Sequence, residues 1–161
     1  MPKIKIEDNG FVNIQVWIQP RCNTEYEYYD FKIDTGANRT TINLKTLNSL
    51  GYDENWVIEN GKQLLGNECP TVATGVVIEN CYSICLPEIK IGKYTGVNWQ
   101  CIVSIDKHIQ FRHLFGTDSM QFFNWIFDFE NNFCEYNVIE NKERVLFNNQ
   151  YQAVYAIDEI K

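Results

Sequence analysis

The stretch Tyr28-Tyr29-Asp30-Phe31-Lys32-Ile33-Asp34-Thr35-Gly36-Ala37 decides how the rest of the chain is read. Its first six residues are rich in aromatic and apolar side chains and read as a strand, which runs directly into Asp34. A carboxylate is a poor nucleophile toward an amide, but it can activate water when a second carboxylate close by holds a shared proton. Two carboxyl groups about 3 Å apart cannot both ionise, so such a pair keeps one proton over a wide pH range. The chain carries the Asp-Thr-Gly tripeptide once, so a pair requires two copies of the molecule. Thr35 adds a hydroxyl that donates and accepts, and is suited to tying two such loops together across a two-fold axis. Gly36 lacks a Cβ and permits close backbone approach, and Ala37 keeps the floor of the loop small.

An Asp-x-Gly taken alone is often no more than a turn. Here it is accompanied, far along the chain, by the apolar segment Leu114-Phe115-Gly116-Thr117-Asp118. Together, FKIDTGANRTTINLKTLNSLGY (residues 31–52) and HLFGTDSMQFFNWIFDFENN (residues 113–132) resemble the catalytic strand, loop and helix, and the late glycine strand, of the retropepsin-like aspartic proteases. The resemblance runs from about Phe11 to about Val138. It implies an all-β, retropepsin-like acid protease barrel with one or two short helices, spanning residues 1–146, that hydrolyses peptide bonds as a homodimer without metal or other cofactor. Asp34 would be the catalytic acid, Thr35, Gly36 and Ala37 the rest of its loop, and Gly116 and Asp118 its structural support. Retroviral members usually place Arg directly after the late glycine. Thr117 stands there in this chain, so their Arg-dependent dimer contacts do not carry over.

Composition agrees with one compact domain: 161 residues with 45% hydrophobic content can bury a single sizeable core. That length is too short for both acids to come from one chain. A net charge of −7 argues against nucleic acid, whose binding relies on clustered Lys and Arg. No apolar run approaches the roughly 18 residues needed to span a bilayer, so no membrane partner is expected. Met1-Pro2-Lys3-Ile4-Lys5 has no signal-peptide core, which points to the cytoplasm. Six cysteines occur without paired C-x-x-C units or a His pair, so small buried thiols are expected rather than a zinc site or a disulfide framework. His108 and His113 read as surface or packing residues.

Hydrophobic patterning predicts strands over Phe11 to Ile18 and Glu25 to Ile33, joined by a turn at Pro20-Arg21-Cys22-Asn23. A short helix is expected from Asn43, with Leu44, Leu47 and Leu50 on one face and Gly51 as its C-cap. Further strands are expected over Trp56 to Leu65, Thr71 to Ile84, Ile89 to Ile91 and Trp99 to Ile105. A helical turn over Ser119 to Asn124 precedes a hairpin with Trp125, Phe127 and Phe129 on one face, a turn at Asn131-Asn132, and a return strand over Phe133 to Val138. The segment Gly66 to Val77, with Thr74 and Gly75, reads either as a substrate-covering flap or as a connecting loop. Residues 147–161 read as an added edge strand or a mobile tail. An inactive binding module on the same fold is the alternative to a peptidase, because fold does not guarantee turnover. A processed piece of a mobile-element polyprotein is the third reading.

Overall fold

The computed structural model describes residues 3–70 and 75–139, and the backbone of 144–146. In chain order the strands are β1 (Lys3–Lys5), β2 (Asn13–Ile18), β3 (Glu27–Ile33), β4 (Lys62–Gln63), β5 (Cys81–Ile91), β6 (Tyr94–Ser104), β7 (Leu114–Phe115), β8 (Phe123–Asp128), β9 (Phe133–Val138) and β10 (Arg144–Leu146). Helices α1 (Leu44–Ser49), α2 (Glu54–Asn60) and α3 (Thr117–Met120) and a 3-10 turn at Gly66–Glu68 complete the described elements. The fold is therefore strand-rich with modest helical content.

The strands form two sheets. One has the order β1-β9-β8, and the other β10-β6-β5-β2-β3-β7, with β4 paired to β5. Neither is shown closed into a barrel, so the barrel expectation is corrected to two sheets around a shared core. Alternation along β2 puts Ile14, Val16 and Ile18 in the core and Asn13, Gln15 and Trp17 outside, as a period of two requires. Beneath the β3 end, Phe31, Trp99 and Phe115 are fully buried, with Trp99 centred 5.2 Å from Phe31 and 6.2 Å from Phe115. Burying an aromatic side chain of this size contributes about 1.5–3 kcal/mol. This aromatic floor keeps the end of β3 in place.

Several expectations hold. Asn43 caps α1, its side chain accepting from the Thr46 amide at 3.0 Å, and Gly51 follows the helix with φ of +88°. The β8–β9 hairpin turns at Asn131-Asn132, with Asn132 at φ +58°. The expected helical turn falls slightly earlier, at Thr117–Met120.

The strand expected over Trp56 to Leu65 is wrong. Its first half is α2, and only Lys62–Gln63 is extended. Asp53 accepts from the Trp56 amide at 2.8 Å and Glu54 sits in the first turn, so the capping chemistry outweighs the strand preference of Trp56, Val57 and Ile58. The expected strands over Thr71 to Ile84 and Ile89 to Ile91 resolve into one long β5 that begins only at Cys81; Thr71–Thr74 and residues 147–161 lie outside the described residues. β5 and β6 pair antiparallel from Cys81↔Ser104 to Ile91↔Tyr94.

Candidate active site

β3 delivers Asp34. It pairs in parallel with β7, Lys32 opposite Leu114 and Ile33 opposite Phe115, and the ladder continues into the loop as the Asp34 amide donates to the Phe115 carbonyl at 3.1 Å. Beyond the acid the chain turns tightly, the Ala37 amide donating to the Asp34 carbonyl at 3.1 Å. The Gly36 amide donates to Asp34 Oδ1 at 2.9 Å, which fixes the carboxylate's orientation. Thr35 and Gly36 are exposed, while Asp34 and Ala37 are partly covered.

After the loop the chain passes to the other side of β7. The Thr41 amide donates to the Leu114 carbonyl at 3.0 Å, and the Leu114 amide to the Thr41 carbonyl at 3.2 Å. On its far flank this segment bonds β6, the Ile42 amide donating to Ile102 at 3.0 Å and the Ile102 amide to Thr40 at 2.9 Å. Gly116 lies directly below: a Cβ there would stand 2.6 Å from the Arg39 carbonyl carbon and 2.9 Å from the Ala37 oxygen. No side chain fits in that space, which is the physical reason for glycine at this position. The Thr117 amide donates to the Ala37 carbonyl at 2.9 Å and ties the loop to α3.

Asp118 organises the rest of the support. Its carboxylate accepts from Thr40 Oγ1 at 2.7 Å and the Thr40 amide at 3.0 Å, and Arg39 Nε lies 3.7 Å away. Thr40 is wholly buried and its hydroxyl also accepts from the Gly116 amide at 3.2 Å. Ser119 Oγ lies 2.5 Å from Thr40 Oγ1 and accepts from Trp99 Nε1 at 2.9 Å. Leaving one such buried group unpaired costs about 1–3 kcal/mol, so the network holds loop, α3 and β6 in one arrangement. Burial raises the Asp118 pKa, and the Thr40 hydrogen bonds, the Arg39 charge and the Ser119 amide oppose that without cancelling it.

The sequence-derived residues thus assemble around one loop: Asp34, Thr35, Gly36 and Ala37 in it, Gly116 beneath it, and Asp118 behind it. Gly75 sits on an exposed segment elsewhere, with φ of +84° and open space around it, and Thr74 lies outside the described residues. Val76 and Val77, which follow it, are exposed, as is Leu65. Sequence reasoning missed Thr40, Ser119 and Trp99. The adjacent threonines Thr40-Thr41 were the available signal, since buried hydroxyls in a loop must find partners. His113 packs as expected, stacked on Phe31 at 4.7 Å and 3.0 Å from Thr46 Oγ1. Cys81, Cys101 and Cys134 are buried thiols, but Cys22 and Cys85 are exposed, unlike the buried default. Among the described residues, no group of His, Cys, Asp and Glu is placed to hold a metal ion.

The chain is similar to the crystal structure of a retropepsin-like aspartic protease from Rickettsia conorii, with a TM-score of 0.57 over 84% of this chain and 87% of that one at 18% identity. At that identity the likeness is one of fold. No protein-family model and no curated protein matches the sequence. No helix among the described residues is long and apolar enough to cross a membrane.

Proposed function

We propose that the chain is an aspartic endopeptidase that acts as a homodimer, each copy supplying one Asp34 carboxyl to a shared water. The observation that carries this reading is Asp34 at the end of β3, oriented by the Gly36 amide and held against β7 in a loop whose Thr35-Gly36 crest is exposed. One loop supplies one carboxyl, and the exposed crest is where a second copy would complete the pair.

In the dimer the ionised Asp34 takes a proton from water as it attacks the scissile carbonyl carbon. The neutral Asp34 donates its proton to the carbonyl oxygen, and the resulting tetrahedral diol collapses as the amine leaves protonated. No covalent intermediate with the protein forms. The Thr35 hydroxyl on each crest would hydrogen-bond across the two-fold axis. The segment from Gly66 to Val77 would close over an extended substrate, with exposed Leu65, Val76 and Val77 against it.

A route to the second copy lies in the smaller sheet. Among the described residues β8 pairs with β9 and no other strand. Trp125, Phe127 and Phe129 stack along that hairpin at 6.3 and 6.2 Å between ring centres, and Phe127 and Phe129 are 36% and 65% exposed. Stacked, exposed aromatic rings are what interface centres are built from.

The test is Asp34→Asn. It should reduce peptide cleavage by at least about a thousandfold, measured on a fluorogenic peptide library, while the circular-dichroism spectrum and melting temperature stay close to wild type. Cleavage by the purified variant at the wild-type rate would sink the proposal.

A further inference from the structure

The strand that carries Asp34 also carries a cation beside it. Side chains two positions apart on a strand share a face, about 6.6–7 Å apart, so Asp30 and Lys32 line one side of β3, two residues short of Asp34. On that side a cavity of about 380 Å³ opens between Asp30 and Lys32 of β3, Phe11, and the run Phe111, Arg112 and Leu114 leading into β7. Leu114 stands directly opposite Lys32 in the parallel pair. Asp34 is not in the lining and follows Lys32 by two residues in the chain.

Its chemistry is unlike the rest of this acidic chain. The Lys32 ammonium rests over the Phe11 ring at 3.7 Å, and among the described residues neither Lys32 nor Arg112 forms an ion pair. The Arg112 backbone is fixed where its carbonyl accepts from Thr41 Oγ1 at 2.6 Å, and Arg112 is an exposed residue of the cavity lining. Asp30 is the one carboxylate in the lining, and it lies a strand step farther from Asp34 than Lys32 does. His113 adds no competing cation, because its ring turns into the protein to stack on Phe31 and meet Thr46. Two cations against one carboxylate, in a lining that also holds Asn13 and Asn43 beside Phe11, Phe111 and Leu114, suit a side chain that ends in a negative charge on a short apolar stem.

We propose that this pocket receives an acidic side chain of a bound peptide, its carboxylate meeting Lys32 and Arg112 and its methylenes lying on Phe11, Phe111 and Leu114. That this residue flanks the scissile bond rests on the peptidase reading; the carboxylate preference rests on the pocket. Lys32 and Arg112 are thus specificity residues, and the peptidase selects acidic side chains next to its cut.

Binding separates the two claims. Labelled extended peptides that differ only in carrying Glu or Gln at one central position are titrated by fluorescence anisotropy against the Asp34→Asn protein. The Glu peptide should bind about tenfold tighter at low salt, with the advantage shrinking as salt is added. Lys32→Met and Arg112→Met should each bring the ratio toward unity while leaving the affinity for the Gln peptide within about twofold of the parent. Equal affinities, no binding of either peptide, or a ratio that survives in the Lys32→Met/Arg112→Met double variant overturns the proposal. If Asp34→Asn discriminates while the wild type cuts neither peptide, the pocket assignment stands and the peptidase reading falls. If the wild type cuts both peptides equally well and binding shows no preference, the reverse holds.

Discussion

His113 and Asp118 are two titratable side chains that the fold buries against the segments holding the Asp34 loop, and burial moves them in opposite directions. It lowers the His113 pKa from its ordinary 6.5, with a hydrogen bond to the Asp30 backbone partly opposing. A lowered folded-state value means that the neutral ring's contribution to stability is complete above the ordinary value and disappears as pH falls through the folded one. Asp118 is raised, so its contribution is greatest in acid and is lost as pH rises through its folded-state value. Acidification therefore weakens the structure through His113 and relieves it through Asp118. His113→Gln should lower the melting temperature near neutral pH through lost stacking, by the equivalent of about 1–2 kcal/mol. The same variant should flatten the fall in melting temperature between about pH 7 and about pH 5 relative to wild type. An unchanged slope would mean that other groups govern the acid limb.

At the level of elements, α2 shows capping chemistry prevailing over side-chain preference. Trp56, Val57 and Ile58 favour extended backbone, yet only Val57 enters the core, Trp56 packs on Tyr52 at 4.5 Å between ring centres, and Ile58 is 45% exposed. A strand would have alternated these side chains between two faces, whereas the helix sends only Val57 inward. Asp53→Ala removes the cap and should cost about 1 kcal/mol, read as a lower denaturation midpoint with unchanged m-value. A neutral outcome would mean that the Val57 contact alone holds α2. Helix α1 needed no such override, because its apolar spacing and cap agree with its final environment.

For the whole molecule, activity is expected to depend on assembly. If the Trp125-Phe127-Phe129 stack forms the seam, Phe127→Lys should weaken self-association by at least about tenfold in analytical ultracentrifugation. Specific activity of that variant should fall on dilution and recover at high protein concentration, which a residue acting directly in catalysis would not show. Each copy carries a net charge of −7, so added salt should strengthen the wild-type association by screening copy-to-copy repulsion. Unaltered association of Phe127→Lys would place the seam elsewhere on the surface.

Local chemistry was enough to read the strand ending in Asp34-Thr35-Gly36-Ala37, the capped helix at Asn43, the β8–β9 hairpin and the distant Leu114-Phe115-Gly116 run, because strand period, caps and turns depend on neighbours in the chain. Only the tertiary structure decided that β7 lies between β3 and the Thr40–Ile42 segment, that Thr40, Ser119 and Trp99 close a hydrogen-bonded network on Asp118, and that Lys32 and Arg112 share a pocket. Those pairings join residues far apart in sequence, and no local pattern encodes which buried donor meets which acceptor or which charges face the same cavity.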